Sequence, residues 1–277
     1  MKIAVFPNIN NNGVEELNHL IVNKLASIGI DVCIVEMKDG LFLEPEQAIC
    51  NSDISIAVGG DGTTLSVAKM AAQQGKATLG INAGRLGFMS GLEKNEIDLL
   101  EKIVTGDYSI DERIMLKVSF LHNGVQTVCH CLNDVVISRG DLARLIDISV
   151  ENRGRLVTKT RADGMIVATP TGSTAYSMAS GGPVVSPETS CFVVTPICPH
   201  SLVNRSIVFS SDQELILTVY NDKNNSAYLS DDGENSYLIE PDTKIIVTKS
   251  EYTAKLIKIK PDNFYEILNK KIIDRSN

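Results

Sequence analysis

The feature that most constrains the fold of this chain is an abrupt change of rhythm near Gly106. Before it, apolar runs of strand length alternate with segments whose apolar residues recur at helical spacing. Residues 2–6 read as a buried strand, after which Val14, Leu17, Leu20, Ile21, Leu25 and Ile28 fall on one helical face and Gly29 ends the pattern. Residues 32–35, 54–58 and 77–81 read as further strands, with helices expected over 65–74 and 93–104. Strands alternating with helices pair in parallel, because each crossover helix returns the chain to run in the same direction. An α/β domain with a parallel sheet is therefore expected over residues 1–106, with ligands beyond the carboxyl ends of its strands.

After Gly106 the pattern becomes short strands broken by turn signals: His122-Asn123-Gly124, Asn152-Arg153-Gly154, Ser210-Ser211-Asp212 and Asp231-Asp232-Gly233. An all-β, sandwich-like domain is expected over 107–260, with one helix over 173–180. A tail helix within 261–277 is expected to pack back on the first domain.

Composition narrows the function classes. A formal charge of -8 and a pI near 5.1 are the reverse of a nucleic-acid footprint, which needs clustered Lys and Arg. No run of eighteen apolar residues is present, and the opening MKIAVFPNIN is strand-like with no signal-peptide pattern, so a cytoplasmic protein without a membrane partner is expected. The six cysteines do not form a disulfide framework. Cys129-His130-Cys131 is not expected to hold a metal, since alternate strand residues face opposite ways.

Three motifs carry chemistry. Gly59-Gly60-Asp61-Gly62-Thr63 follows a buried strand and precedes a helix, where glycines admit close approach of a phosphate and helix N–H groups attract an anion. A carboxylate there can take a hydroxyl proton or hold Mg²⁺, although Asp-Gly is also ordinary turn chemistry. Asn82-Ala83-Gly84-Arg85-Leu86-Gly87-Phe88 follows the next strand, so Arg85 offers charge and Phe88 a ring at the same crevice, unless Phe88 is core. The third is Arg161-Ala162-Asp163-Gly164, followed by TPTGSTAY and Gly181-Gly182-Pro183, a hydroxyl-rich turn with Ser173 or Thr174 as a helix N-cap.

GGDGT, the Asn133-Asp134 pair in LNDVVISRG, RADGMIVATPTGSTAYSMASGGP, TPICPHSL with Arg205, and Asp232-Gly233 together resemble the NAD kinase family, over about residues 54–233. GGDGT alone is shared with lipid kinases and, in variant form, with phosphofructokinases; the TPTGSTAY block sets this family apart. The resemblance implies phosphorylation of the 2′-hydroxyl on the adenosine ribose of NAD, with Mg²⁺ as cofactor and ATP, or polyphosphate, as donor. It implies Asp61 as proton acceptor with Gly62 beside it, Phe88 at the adenine, and Asn133 and Asp134 on polar groups of the dinucleotide. Asp163 is implied at the nicotinamide end with Arg161 and Arg144 nearby, and Thr174, Ala175, Tyr176, Ser177 and Ala179 around the adenosine. Asp232 and Glu234 close the site from the last hairpin, and a homodimer or homotetramer is implied. Asp134 departs from the pattern, which usually has Glu there, and its reach is shorter by one methylene.

Overall fold

A computed structural model of the chain describes residues 1–84, 87–140, 144–201, 205–220, 226–261 and 264–274. Two compact units emerge, Met1–Glu112 with Thr253–Asn277, and Arg113–Tyr252, so the boundaries fall at 112 and 252. The strand Lys244–Lys258 runs past the second boundary because its Lys255 and Leu256 pair in parallel with Ala77 and Thr78 of the first unit's sheet.

The first unit is built on parallel strands in the order Asp31–Ile34, Lys2–Pro7, Ile54–Gly59, Ala77–Asn82. Both faces are covered, which is why the strands read as continuous apolar runs. Ile3, Val5, Ile54, Ile56 and Val58 pack with Leu17, Ile21 and Leu25 of the helix Val14–Ser27. The alternate residues Ala4, Phe6 and Ala57 pack with Val67 and Ala71 of the helix Asp61–Gln73 on the other face. In register, Gly59 stands beside Asn82, so the two motif loops leave neighbouring strands at the same end of the sheet.

The helix expected over 65–74 begins earlier, at Asp61, which puts an acidic side chain in its first turn, where the unpaired N–H groups favour it. The single helix expected over 93–104 is instead a short strand Leu92–Glu93, a 3₁₀ turn Ile97–Leu100 and a helix Glu101–Thr105. The Glu96 carboxylate accepts the Glu93 N–H at 2.8 Å and so favours a turn there over a continuous helix. The tail helix spans Phe264–Asp274, and no helix among the described residues is long and apolar enough to cross a membrane.

The second unit is a sandwich. One antiparallel sheet runs Ile207–Ser210, Cys191–Ile197, Gly164–Ala168, Asp134–Arg139, Ala227–Asp231, Asn235–Ile239. In the other, Leu215–Tyr220 lies between Lys244–Lys258 and Ile146–Asn152, with Arg155–Ala162 beyond and the hairpin Ser109–His122 and Val125–Cys131 on the opposite side. Val135, Ile137, Met165, Val167 and Phe192 of the first interleave with Phe120, Cys131, Ile148, Leu217 and Val247 of the second. Cys129 and Cys131 face this core, whereas the His130 ring turns to the Ser250 hydroxyl at 2.8 Å.

Between Gly164–Ala168 and Cys191–Ile197 the chain makes the TPTGSTAY turn. The Thr169 hydroxyl donates to the Leu132 carbonyl at 2.6 Å and accepts the Gly172 N–H at 3.1 Å, while buried Arg113 donates to the Thr171 hydroxyl at 3.2 Å. The helix expected over 173–180 is divided into a 3₁₀ turn Gly172–Thr174 and a helical turn Tyr176–Ala179, because Ala175 has φ -99 and ψ -125. Neither Ser173 nor Thr174 is an N-cap: the Ser173 hydroxyl donates to the Pro170 carbonyl at 2.7 Å and accepts the Val185 N–H at 3.0 Å.

Gly172 has no room for a side chain, since a methyl there would collide with the Asn133 backbone. Gly172→Ala is expected to cost about 1–3 kcal/mol, typical of overpacking, and to lower the melting temperature by several degrees in scanning calorimetry. An unchanged melting temperature would show that the turn can move away from Asn133 freely.

Candidate active site

In the first unit, a carboxylate at the mouth of a glycine turn is held by the backbone of the next loop. Asp61 accepts the Phe88 N–H on Oδ2 and the Met89 N–H on Oδ1, both at 3.0 Å. This fork is possible because Gly87 carries no side chain; one there would strike the Asp61 carboxylate and the Ser90 hydroxyl. About a third of the Asp61 side chain stays open to solvent, so a ligand can reach it. Gly62, next to it, is exposed and leaves the start of the helix uncovered. Arg85 lies outside the described residues.

Phe88 is half-buried, with its ring centroid 5.8 Å from that of Phe264 on the tail helix. From the same helix the Lys271 ammonium reaches to 3.5 Å from Asp61 Oδ2 and sits 4.2 Å from the centroid of the Phe88 ring. Behind the loop, Asn82 donates to Glu93 at 3.0 Å, and burial is the main cause that raises the Glu93 carboxyl above its ordinary range.

In the second unit, a cavity of about 400 Å³ is lined by Asn133, Asp134, Ala175, Tyr176 and Asp232, with Ser138 and Ser230 among their neighbours. This is the size and mixed polarity of a small-ligand pocket. Its shape depends on Asp232. That residue takes the left-handed conformation, φ 49, in the tight turn after Ala227–Asp231, a conformation Asp tolerates better than most residues. From there its carboxylate accepts the N–H groups of Leu132 at 2.8 Å, Asn133 at 2.8 Å and Asp134 at 3.0 Å. Asp232 thus holds the Asn133-Asp134 corner in place.

Asp134 is 5% exposed, and among the described residues nothing donates to its carboxylate. Burial, and after it the negative charge of Asp232, pushes its carboxyl up to about 7. Tyr176, which also lines the cavity, is 47% exposed.

The remaining expected residues do not line this cavity. Thr174 donates to the Thr171 carbonyl at 3.1 Å, and buried Ser177 shares a hydrogen bond with Thr195 at 3.0 Å, so both serve the turn itself. Ala179 and Glu234 are exposed. Asp163 is paired with the Arg139 guanidinium at 2.5 Å, while Arg144 and Arg161 are exposed. Sequence reasoning missed Arg139, Phe264 and Lys271. The last two belong to a helix that the periodicity does find, but nothing in its spacing says that it meets Asp61 of GGDGT, 210 positions before Lys271.

Comparison with known proteins identifies the family. The family model described as the ATP-NAD kinase N-terminal domain matches residues 43–108, and that of the ATP-NAD kinase C-terminal domain matches residues 132–259. An NAD kinase of Caldanaerobacter subterraneus is 38% identical over 99% of both chains, and one of Carboxydothermus hydrogenoformans is 41% identical over 79% of each. Among solved structures, an NAD kinase from Archaeoglobus fulgidus in complex with ATP superposes with a TM-score of 0.79 at 26% identity over 98% of both chains. Yeast NADH kinase complexed with NADH shares the fold, with a TM-score of 0.89 at 24% identity over all of this chain and 89% of that one. The chain belongs to the NAD kinase family, enzymes that phosphorylate NAD.

Proposed function

We propose that Asp61 is the general base in transfer of the γ-phosphoryl group of ATP to the 2′-hydroxyl on the adenosine ribose of NAD. The observation that carries this reading is the Asp61 carboxylate itself, aimed by two amides yet open to a ligand, at the N-terminus of a helix that favours phosphate. The hydroxyl gives its proton to Asp61 as its oxygen bonds to the γ-phosphorus, and the bond to the ADP leaving group breaks. A related structure holding ATP supports that nucleotide as donor. Asn133 and Asp134 accept hydrogen bonds from the dinucleotide, and Ala175 and Tyr176 provide a surface for its adenosine.

Mg²⁺ fits as an ion carried by the ATP phosphates. Among the described residues no three His, Cys, Asp or Glu side chains converge on one point, and Mg²⁺ is commonly held by one or two carboxylates together with substrate phosphates. Asp61 is the carboxylate that would stand beside such an ion, and the ion would supply neutralisation of charge on the transferring group. All six cysteines are free, as fits a reducing compartment, and we place the enzyme in the cytoplasm. Leu121, Val125 and Val128 leave apolar surface exposed on one β-hairpin, which supports a homodimer or homotetramer.

The reaction is tested with purified protein, NAD, Mg²⁺ and either ATP or polyphosphate, reading NADP with an NADP-specific dehydrogenase. Asp61→Asn is expected to lower kcat by about 10²–10⁴ while NAD still binds. It will also lose some stability, because an amide cannot accept both the Phe88 and Met89 N–H groups. Reduced stability with unchanged kcat in the folded fraction would make Asp61 a purely structural residue.

The raised Asp134 carboxyl has a defined pH signature. Between about pH 4 and 7 the folded protein keeps a proton that the unfolded chain has released, so stability falls as pH rises through that window. Asp134→Asn removes this penalty. The variant should melt above the wild type at pH 8, by an amount corresponding to at most about 4 kcal/mol, and match it near pH 4. An equal difference at both pH values would mean that Asp134 is not buried with a raised pKa. Sedimentation equilibrium should give two or four times the chain mass of 30.1 kDa, and a monomer would remove the assembly from the proposal.

A further inference from the structure

The tail helix brings a cation to the proposed base. We infer that Lys271 is a catalytic residue whose ammonium binds the γ-phosphate of ATP, an assignment that rests on the phosphoryl transfer proposed above. Lys271 Nζ lies 3.5 Å from Asp61 Oδ2 and 4.2 Å from the Phe88 ring centroid, and 29% of its side chain is exposed. At 3.5 Å the contact with Asp61 is at the outer limit of a hydrogen bond. Oδ2 already accepts the Phe88 N–H at 3.0 Å, so it is a partly satisfied acceptor. An ammonium has three donors. Neither the carboxylate nor the ring face uses them fully, and a phosphate oxygen is a stronger partner than either.

The transfer geometry places such an oxygen within reach. A working base lies about 2.6–3.2 Å from the hydroxyl it deprotonates. The hydroxyl oxygen in turn approaches to about 3–3.5 Å of the phosphorus. The γ-phosphoryl group therefore comes within about 6 Å of the Asp61 carboxylate, inside the sweep of a lysine side chain that already touches it.

Local charge points the same way. Asp61, Glu93 and Glu96 are acidic, and Lys260 is committed to Glu96 at 2.6 Å. The Lys271 ammonium offsets part of this negative charge beside Asp61, which favours a triphosphate there. An ion pair with each side chain about a third exposed contributes little to stability, so anchoring the helix is a poor explanation for it. The contact between Phe264 and Phe88 serves that purpose.

The test uses the full chain with Lys271→Met, which keeps the apolar stem, Lys271→Gln as a second neutral variant, and Lys271→Arg as the conservative one. Calorimetric titration with ATP, ADP and AMP, and steady-state kinetics, are run on each. Loss of a charge-assisted contact to phosphate should weaken ATP binding by about 10- to 100-fold in the neutral variants. AMP and NAD affinities should stay within twofold, kcat/KM for ATP should fall at least as far as ATP affinity, and Lys271→Arg should recover most of both. Unchanged ATP affinity and kcat/KM would overturn the assignment. So would an equal loss for ATP, AMP and NAD with a lower melting temperature, which marks a structural lysine. If the wild type makes no NADP, the proposed reaction fails, while the ATP-over-AMP preference still reports on Lys271.

Discussion

A carboxylate that accepts two backbone amides cannot turn away without leaving both unpaired, and this constraint on Asp61 organises the end of the parallel sheet. The Phe88 and Met89 N–H groups meet its two oxygens. The loop after Ala77–Asn82 is thereby tied to the first turn of the helix after Ile54–Gly59, two segments whose strands already stand in register at Gly59 and Asn82. Gly87 makes the approach possible. A position fixed in this way requires little reorganisation when a substrate arrives, which is what a base or an electrostatic contact needs in order to act on a transition state.

The sandwich unit uses the same device for a different end. Asp232 spends its carboxylate on three consecutive amides and so shapes the corner that presents Asn133 and Asp134. Having satisfied those groups, its charge remains close to Asp134 and, with burial, disfavours ionisation there. A buried carboxyl without a protein donor lowers stability, and such groups are characteristic of sites whose partner is a ligand. The two aspartates thus differ in surroundings: Asp232 is spent on backbone amides, while Asp134 lies buried in the cavity wall.

The tail helix shows how a distant segment completes a motif. Phe264 packs on Phe88, and Lys271 reaches over the same ring to Asp61. Phe88 thus packs against Phe264 and lies under the Lys271 ammonium, so its ring is a contact of the tail helix.

The α/β and sandwich classes, the glycine turn with Asp61 at the mouth, and the Asn133-Asp134 and TPTGSTAY segments were legible in the amino-acid sequence alone. Apolar period and turn chemistry are local properties, and the sheet and core follow from burying the faces they define. What local pattern could not reach was decided by hydrogen bonds and charges that join positions far apart. Asp232, expected at the ligand from its place in the last hairpin, lines the cavity and also clamps the backbone of Leu132, Asn133 and Asp134, a hundred residues earlier, which no local pattern signals. Ser173 and Thr174 appeared as helix caps, but the Ser173 hydroxyl is engaged by Pro170 and Val185, and Ala175 interrupts the helix. Lys271 carried no signal at all, since a lysine on an amphipathic helix is ordinary surface until the chain folds and brings it to 3.5 Å from Asp61. Sequence periodicity determines which face of an element is buried; only tertiary structure decides which charges from remote elements meet, because that depends on the path of the whole chain.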